Sequence, residues 1–309
     1  MKVVSYLNSV PSKNNNKQKT DLLIKYIQGV NTAGDTGILH NGNNTVPCDV
    51  GVIQGWVYEN KSSNHLRLRD NVIQTQKQNN RFSCTADANL FLYANKSNPH
   101  GYLRYSFNGI FPTTGIYCDE TVDPSRWQQI SKDTGIVLQP TVQKGKSIIL
   151  MLQRQDGWSM KGTNVQDWAL KTIKRIRKFS DRPILIRPHP GDKQAKVYLS
   201  DRFTRLKNIS GVVISEQGVP LENDLTKAWA IVNHNSSSAV GPIIKGYHAF
   251  VTDPDDSQCA EVAHTDLSML ETPQQFDRQA WLERISMFHW KFSELEDGSC
   301  WRHMRNYCQ

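Results

Sequence analysis

The chain has 309 residues, of which 37 are lysine or arginine and 29 are aspartate or glutamate, so its formal net charge is +8. Its length exceeds the size at which one hydrophobic core usually divides, and two domains are expected. A hydrophobic fraction of 38% without a long apolar run excludes a membrane protein. Because the N-terminus lacks the order of a signal peptide, we expect a cytoplasmic protein with no membrane partner. The positive charge favours an anionic partner.

Residues 1–142 are predicted to form the first domain, because short apolar runs alternate there with polar loops. A tract poor in apolar residues, 12–19, is predicted to be a loop or a frayed helix start. Helices are expected near 21–28 and 66–77, and strands at 3–7, 36–40, 50–54, 81–84 and 116–118. The shift in composition around Pro140 and Gly145 marks the boundary.

Residues 143–276 show a more regular alternation, which predicts a second domain with a parallel sheet covered by helices. The expected strands are 147–152, 183–187, 211–215, 230–233 and 249–251, and the expected helices are 163–179, 222–228 and 237–245. Residues 277–309 are predicted to form amphipathic helices that pack on a domain surface. Their apolar stripes are Trp281, Ile285 and Phe288, then Trp301, Met304 and Cys308.

The cysteines are scattered and form no Cys-x-x-Cys pair, so the spacing of a zinc site is absent. Free thiols in a reducing compartment are therefore expected, with no metal held by the protein. These residues are Cys48, Cys84, Cys118, Cys259, Cys300 and Cys308.

A polar cluster follows the predicted strand 230–233 and opens the next predicted helix. Free backbone N–H groups and the positive end of the helix dipole favour an anion at such a point, above all a phosphate. Simple helix capping is the alternative. The residues of the cluster are His234, Asn235, Ser236, Ser237 and Ser238.

Two further loops follow strands of the same predicted sheet. Arg187 and His189 come directly after one strand, and the prolines between and after them stiffen the turn. Arg154 and Lys161 lie in a glycine-bearing loop after another strand, where they are able to neutralise a diphosphate. Because ligands of open parallel sheets bind outside the carboxyl ends of the strands, these loops predict one anion site. The alternatives are that His189 is an ordinary loop histidine and that Arg154 and Lys161 are solvated cations of an ordinary loop.

With these motifs, the second half resembles the donor domain of GT-B glycosyltransferases. The Arg-Pro-His-Pro sequence at 187–190 and the Asn-Ser-Ser-Ser sequence at 235–238 are similar to elements of capsule sugar transferases and polyglycerol-phosphate transferases. More closely, the segments 153–162, 187–192, 234–254 and 278–305 resemble sugar transferases of tailed bacteriophages. Some members of that family transfer glucose or arabinose to 5-hydroxymethylcytosine in phage DNA.

The resemblance implies an α/β fold of GT-B type, with two Rossmann-like domains facing across a cleft and C-terminal helices crossing back. It implies a nucleoside-diphosphate sugar as co-substrate, with a UDP-sugar favoured and no cofactor required. Arg154, Arg187, His189 and the cluster from His234 to Ser238 would surround the diphosphate. Asp253 would reach the sugar or ribose, or else cap the turn that contains Pro254.

Transfer with inversion of configuration needs a base for the acceptor hydroxyl. Asp87 is our choice for that base and Asp119 is a second candidate, with helix or turn capping as the alternative for Asp87. The expected acceptor is double-stranded DNA in an infected bacterial cell, held through phosphates by basic residues of the first half. These are Arg67, Arg69, Arg81, Lys96 and Arg104, with a solvated surface charge as the equal alternative for each. A capsule or cell-surface glycan as acceptor, or a non-catalytic module that binds DNA or nucleotide, are the other hypotheses.

Overall fold

The computed structural model describes residues 1–11, 17–57, 63–155, 157–195, 199, 209–216 and 218–308. The chain divides into two compact units. The first unit contains Met1–Leu92, Ser97–Gly135 and the chain from Leu282 onward. The second unit contains Tyr93–Lys96 and Ile136–Trp281. Each unit has its own sheet and its own hydrophobic core.

The first unit has a mixed sheet in which six strands are seen among the described residues. Four of them are parallel, namely β1 (Lys2–Tyr6), β2 (Thr36–His40), β3 (Val50–Gln54) and β4 (Phe82–Asp87). Strand β5 (Leu103–Phe107) pairs antiparallel with β4, and β11 (His289–Trp290) pairs antiparallel with β5. The order of the sheet is β11-β5-β4-β3-β1-β2. Strands β1, β3 and β4 are almost fully buried, as expected for inner strands covered on both faces.

Helices α1 (Lys17–Thr32), α2 (Asn64–Gln78) and α3 (Pro124–Thr134) belong to the first unit. Helix α1 buries Leu22, Leu23 and Ile27 in the core. Helix α3 has clear capping residues at both ends. The Asp123 side chain accepts from the Ser125 N–H at its start, and Gly135 ends the helix in the left-handed conformation.

The second unit is built on a parallel sheet with order β10-β9-β6-β7-β8. Its strands are β6 (Ser147–Met151), β7 (Ile184–Arg187), β8 (Val212–Ile214), β9 (Ala228–Asn233) and β10 (His248–Val251). The connecting helices include α4 (Val165–Ile176), α5 (Leu221–Leu225) and α6 (Val240–Ile244). This is the doubly wound order of a Rossmann fold, in which the chain first extends the sheet on one side of β6 and then on the other.

Helix α4 shows how the apolar pattern builds the second core. Asn164 caps it by accepting from the N–H groups of Gln166 and Asp167. Trp168 and Ile173 are buried, whereas the lysines of the opposite face are exposed. Phe179, the last residue of the predicted helix 163–179, is 44% exposed because the helix ends at Ile176.

The C-terminal segment continues through α7 (Arg278–Ser286), α8 (Phe292–Glu296) and α9 (Ser299–Met304). The predicted stripes are buried, except that Cys308 is only half-buried. From Leu282 onward the chain belongs to the first unit, where Trp290, Trp301 and Met304 join its core.

One predicted strand is wrong, and the other elements differ from the predictions in detail. Residues 116–118 form no strand, since only Ile116 makes an isolated bridge to Phe107. Strand β5 and helix α3 were not predicted. The predicted helix 237–245 begins with a 3-10 turn at Ser237–Ala239 before α6. Most of the tract 12–19 lies outside the described residues, and α1 begins at Lys17.

The six cysteines are all free thiols. In the described part of the chain, no cluster of histidine, cysteine, aspartate or glutamate has the arrangement of a metal site. Among the described residues, no helix is both long and apolar enough to cross a membrane.

The buried imidazole of His289 gives the first unit an acid-sensitive contact. Its Nε2 accepts from the Leu90 N–H at 3.1 Å, and its Nδ1 lies 2.7 Å from the Ile285 carbonyl oxygen. Burial lowers the pKa of His289 to about 3. The folded state therefore holds the neutral ring, while the unfolded state takes up a proton once the pH falls below about 6.5.

We expect the free energy of unfolding of the wild type to fall as the pH drops below that value. Between pH 6.5 and 5 this one group should cost about 2 kcal/mol. His289→Gln keeps an amide donor and acceptor but does not titrate, so its loss over this range should be smaller by that amount. Urea unfolding at both pH values measures the difference. Equal losses in the two proteins would contradict the assignment.

A polar site at the carboxyl ends of the second sheet

The loops after β6, β9 and β10 lie at the carboxyl edge of the second sheet. The direction of winding reverses between β6 and β9, and ligands of open α/β sheets bind in the crevice outside such a reversal. Gln153 follows β6, His234 and Asn235 follow β9, and Asp253 follows β10. The structure therefore brings polar residues of three loops to one place, and two of these loops, after β6 and β9, belong to the predicted anion site.

The side-chain amide of Asn235 joins these loops. Its Oδ1 accepts from Gln153 Nε2 at 2.6 Å. Its Nδ2 donates to the Ser159 carbonyl oxygen and to Asp253 Oδ2, both at 3.0 Å. Asn235 and Gln153 are each only 5% exposed. Sequence analysis did not find Gln153, because a glutamine next to a strand carries no signal of its own until its distant partner is known.

Lys161 brings positive charge to the edge of this network. Its Nζ lies 2.9 Å from Asp256 Oδ2 and 3.3 Å from Asp253 Oδ2. The hydrogen bond to Asp256 is the main cause that raises the pKa of Lys161, so this side chain stays cationic. Lys161 and Gly162 have φ values of +48° and +78°, a left-handed turn that favours glycine. Asp256 was also missed by sequence analysis.

His234 is oriented by a chain of two hydrogen bonds. Trp168 Nε1 donates to Thr252 Oγ1 at 2.9 Å, and Thr252 Oγ1 lies 2.9 Å from His234 Nδ1. An indole N–H only donates, so the hydroxyl accepts from it and has its own proton left for Nδ1. Burial lowers the pKa of His234 and favours the neutral ring. This arrangement favours the tautomer with the ring proton on Nε2, which lies 3.7 Å from Asp253 Oδ2.

The serines form the helix start. Ser236 Oγ accepts from the Ser238 N–H at 3.2 Å and lies 2.8 Å from Ser238 Oγ. Ser237 begins the 3-10 turn that leads into α6. Ser236 is thus a capping residue, as the alternative interpretation required, and phosphate binding by the three serines stays a prediction.

Arg187 ends β7 on the same edge, but its guanidinium is bound within the protein. NH1 lies 2.5 Å from Asp224 Oδ2, and NH2 donates to the Val219 carbonyl oxygen at 2.7 Å. Ser215 Oγ donates to the same carboxylate at 2.9 Å. Both charged side chains are largely buried. The structure does not connect Arg187 to Lys161 or to the Asn235 network by any hydrogen bond in the described part of the chain.

Arg154 and His189, from the loops after β6 and β7, interact electrostatically at this edge. Arg154 is exposed, and its charge adds to the burial that lowers the pKa of His189. His189 Nδ1 accepts from the Gly191 N–H at 3.0 Å, so Nε2 is the ring nitrogen that is left for another partner. The Asp192 carboxylate accepts from the Gln155 N–H at 3.0 Å and ties the two loops together.

The predicted base lies in the first unit. Asp87 ends β4, and its Oδ2 is 2.5 Å from NH2 of Arg104, the residue opposite it on β5. The second candidate, Asp119, pairs with Arg284 at 2.8 Å. Both carboxylates are therefore oriented by arginines, and a catalytic role for either stays a prediction.

No protein-family model and no curated protein sequence matches the chain. Two solved structures from Thermosulfurimonas dismutans KpsC are similar to it. The beta Kdo 2,4 transferase is 13% identical, with a TM-score of 0.54 over 92% of this chain and 89% of that one. The beta Kdo 2,7 transferase is 12% identical, with a TM-score of 0.50 over 97% of this chain and 99% of that one.

These likenesses confirm the predicted fold class, an α/β protein of GT-B type with two Rossmann-like units. At such low identity the likeness concerns the fold and does not by itself identify a reaction.

The Arg187–Asp224 pair has a direct consequence for stability. Arg187→Ala leaves the Asp224 carboxylate buried without its cation, and we expect the second unit to lose about 3 kcal/mol. Lys245→Ala is the matched control, because Lys245 pairs with the exposed Glu222 at 3.0 Å and should cost under about 1 kcal/mol. Urea unfolding measures both. If Arg187→Ala costs no more than the control, its guanidinium is not committed to Asp224.

The orientation of His234 is open to a spectroscopic test. We expect the nitrogen-15 NMR spectrum of histidine-labelled protein to show the Nε2–H tautomer for His234. Thr252→Val should abolish this preference, because valine has no proton to donate to Nδ1, and Thr252→Ser should keep it. Thr226→Val, which removes an exposed hydroxyl bonded to the Asn223 carbonyl oxygen, is the control. An Nδ1–H tautomer in the wild type would refute the hydrogen-bond chain.

Proposed function

We propose that the protein is a glycosyltransferase that takes a sugar from a nucleotide-sugar donor bound at the carboxyl edge of the second sheet. The observation that carries this proposal is the Asn235 network, which places Lys161, His234 and Asp253 together at the reversal of strand order. The shared fold with two named Kdo transferases supports it.

The chemistry follows from the charges at this edge. Departure of the donor's phosphate group builds negative charge on its oxygens and positive charge on the sugar carbon. Lys161, Arg154 and the Nε2–H of His234 are positive or donating groups suited to the departing phosphate. Stabilisation that grows as the bond breaks accelerates the reaction.

The carboxylates have the complementary role in this proposal. Asp253 and Asp256 accept hydrogen bonds and suit hydroxyl groups of the sugar or ribose. In the first unit, Asp87 takes the proton of the acceptor hydroxyl. Arg104 holds its carboxylate in one orientation for that step. A nucleoside-diphosphate sugar, with UDP favoured, is the proposed donor, and no metal or other cofactor is proposed.

For the acceptor, we propose 5-hydroxymethylcytosine in double-stranded DNA, arabinose or glucose being the sugar. The net charge of +8 supports a polyanionic acceptor. A capsule or cell-surface glycan is the second candidate, which the names of the two similar structures favour.

One assay separates these acceptors. The purified protein is incubated with a panel of nucleotide sugars and with hydroxymethylated DNA, unmodified DNA or oligosaccharides, and the products are weighed by mass spectrometry. A gain of one sugar mass on hydroxymethylated DNA alone supports the DNA acceptor. A gain on an oligosaccharide identifies the glycan acceptor. Nucleotide or DNA binding without any product would mean a non-catalytic module and would overturn the proposal.

We expect His234→Ala to lower turnover by about a hundredfold, because the departing phosphate loses a donor placed for it. Arg175→Ala, on the exposed face of α4, is the control and should keep the wild-type rate. Steady-state kinetics, with the donor that the mass-spectrometric assay identifies, measures the turnover of both variants. Full turnover by His234→Ala would place the leaving group elsewhere.

A further inference from the structure

The first sheet has a reversal of its own. From β1 the chain adds β2 on one side and then β3 on the other, so the winding changes direction between β1 and β3. The crevice outside the carboxyl ends of these two strands is a place where such sheets bind ligands. Ser9 lies in the 3-10 turn after β1, and Gln54, Gly55 and Trp56 lie at the end of β3 or directly after it.

The guanidinium of Arg69, from helix α2, occupies this position. Its Nε donates to the Ser9 carbonyl oxygen at 2.8 Å. Its NH1 donates to the Trp56 carbonyl oxygen and its NH2 to Gln54 Oε1, both at 3.4 Å. The residue is 7% exposed. A positive charge is thus held between the ends of the two strands at which the winding reverses.

None of the described residues is a counter-ion for this charge alone. In the parts of the chain that the structure describes, Arg69 forms no ion pair. The acidic group that acts on it is Asp87, whose Oδ2 is paired with Arg104. Among the described residues, one carboxylate thus acts on two guanidinium groups, and one positive charge is left over. Burial lowers the pKa of Arg69 to about 10, which shows the cost of holding it there.

The backbone is shaped around this side chain. Gly55 has a φ of +80°, and a Cβ added to it would lie 2.9 Å from Arg69 NH1. The Gln54 N–H donates to Ser9 Oγ at 3.1 Å, which ties the ends of β1 and β3 together beside the guanidinium. Within the described part of the chain, the Ser9 and Trp56 carbonyl oxygens and Gln54 Oε1 use three of the five N–H groups of the Arg69 side chain, and two remain for a ligand.

We propose that Arg69 is the centre of an oxyanion subsite that binds a carboxylate or phosphate group of the acceptor. The planar guanidinium presents its donors as a fork that matches either group. A ligand of this charge neutralises the surplus cation, which no residue seen in the structure does. The proposal depends on the proposed function only in naming the acceptor as the ligand, since the binding of an oxyanion needs no transfer of sugar.

Titration with inorganic phosphate and, separately, with acetate tests the subsite on the full chain. Binding is followed through the side-chain Nε–H resonance of Arg69 in arginine-labelled wild type, and through the backbone N–H resonance of Gly55, which lies beside the guanidinium, in the wild type and all variants. We expect a saturable shift in the wild type, and the tighter of the two probes identifies the oxyanion. Arg69→Gln should weaken binding of the probe at least about tenfold. Arg69→Lys keeps the charge but loses the forked donors, so its affinity should lie between those of the wild type and Arg69→Gln.

Arg305→Gln is the matched control. Arg305 directly follows α9 in the same unit, where its NH1 pairs with Asp35 Oδ2 at 3.0 Å. It should bind both probes as the wild type does. The proposal would be overturned if the Arg69 resonance did not shift at high concentrations of either probe. It would also be overturned if a folded Arg69→Gln variant bound the probe with wild-type affinity. If Arg69→Gln does not fold, the wild-type titration and Arg69→Lys decide.

Where transfer of sugar has been established, Arg69→Lys should raise KM for the acceptor and leave KM for the donor unchanged. A purely structural arginine would instead alter both or neither. If no acceptor receives a sugar, the proposed function fails, while the titrations still decide whether the subsite exists.

Discussion

The side-chain amide of Asn235 is the contact on which the site of the second unit depends. Strands fix where each loop begins, but they do not fix how three loops meet beyond the sheet. The amide does so with one acceptor and two donors, directed at Gln153, Asp253 and the Ser159 carbonyl oxygen. Because it is buried, each of these bonds would be costly to leave unmade. The charged groups around it therefore keep their spacing without a ligand.

The fold could be predicted where local signals are strong. Strands β2 and β3 have the predicted bounds, since short β-branched and apolar runs are flanked by turn residues there. Strand β5 was missed because it carries Arg104, which is buried only because Asp87 faces it across the sheet. Helix α3 has clear start and stop signals in Asp123, Pro124 and Gly135, and a closer search for caps would have found it.

The site could be predicted only at the level of loops. The rule that parallel strands present their carboxyl ends together was enough to place His234, Asn235 and Lys161 at one edge. It could not show that Arg187 is bound by Asp224, because that partner lies on a helix 37 residues away. Gln153 and Thr252 act only through Asn235 and His234. Residues of this kind have no sequence signature, because their role is created by packing.

The composition of the first unit has a consequence for biosynthesis. Its core needs Trp290, Trp301 and Met304, whereas nearly all of the second unit is one continuous stretch that ends at Trp281. On the ribosome the second unit is thus complete before the first, although the first begins earlier. Until translation reaches the final helices, β5 has no β11 beside it and exposes an unpaired edge. The nascent N-terminal half is for that interval the part of the polypeptide that chaperones have most reason to shield.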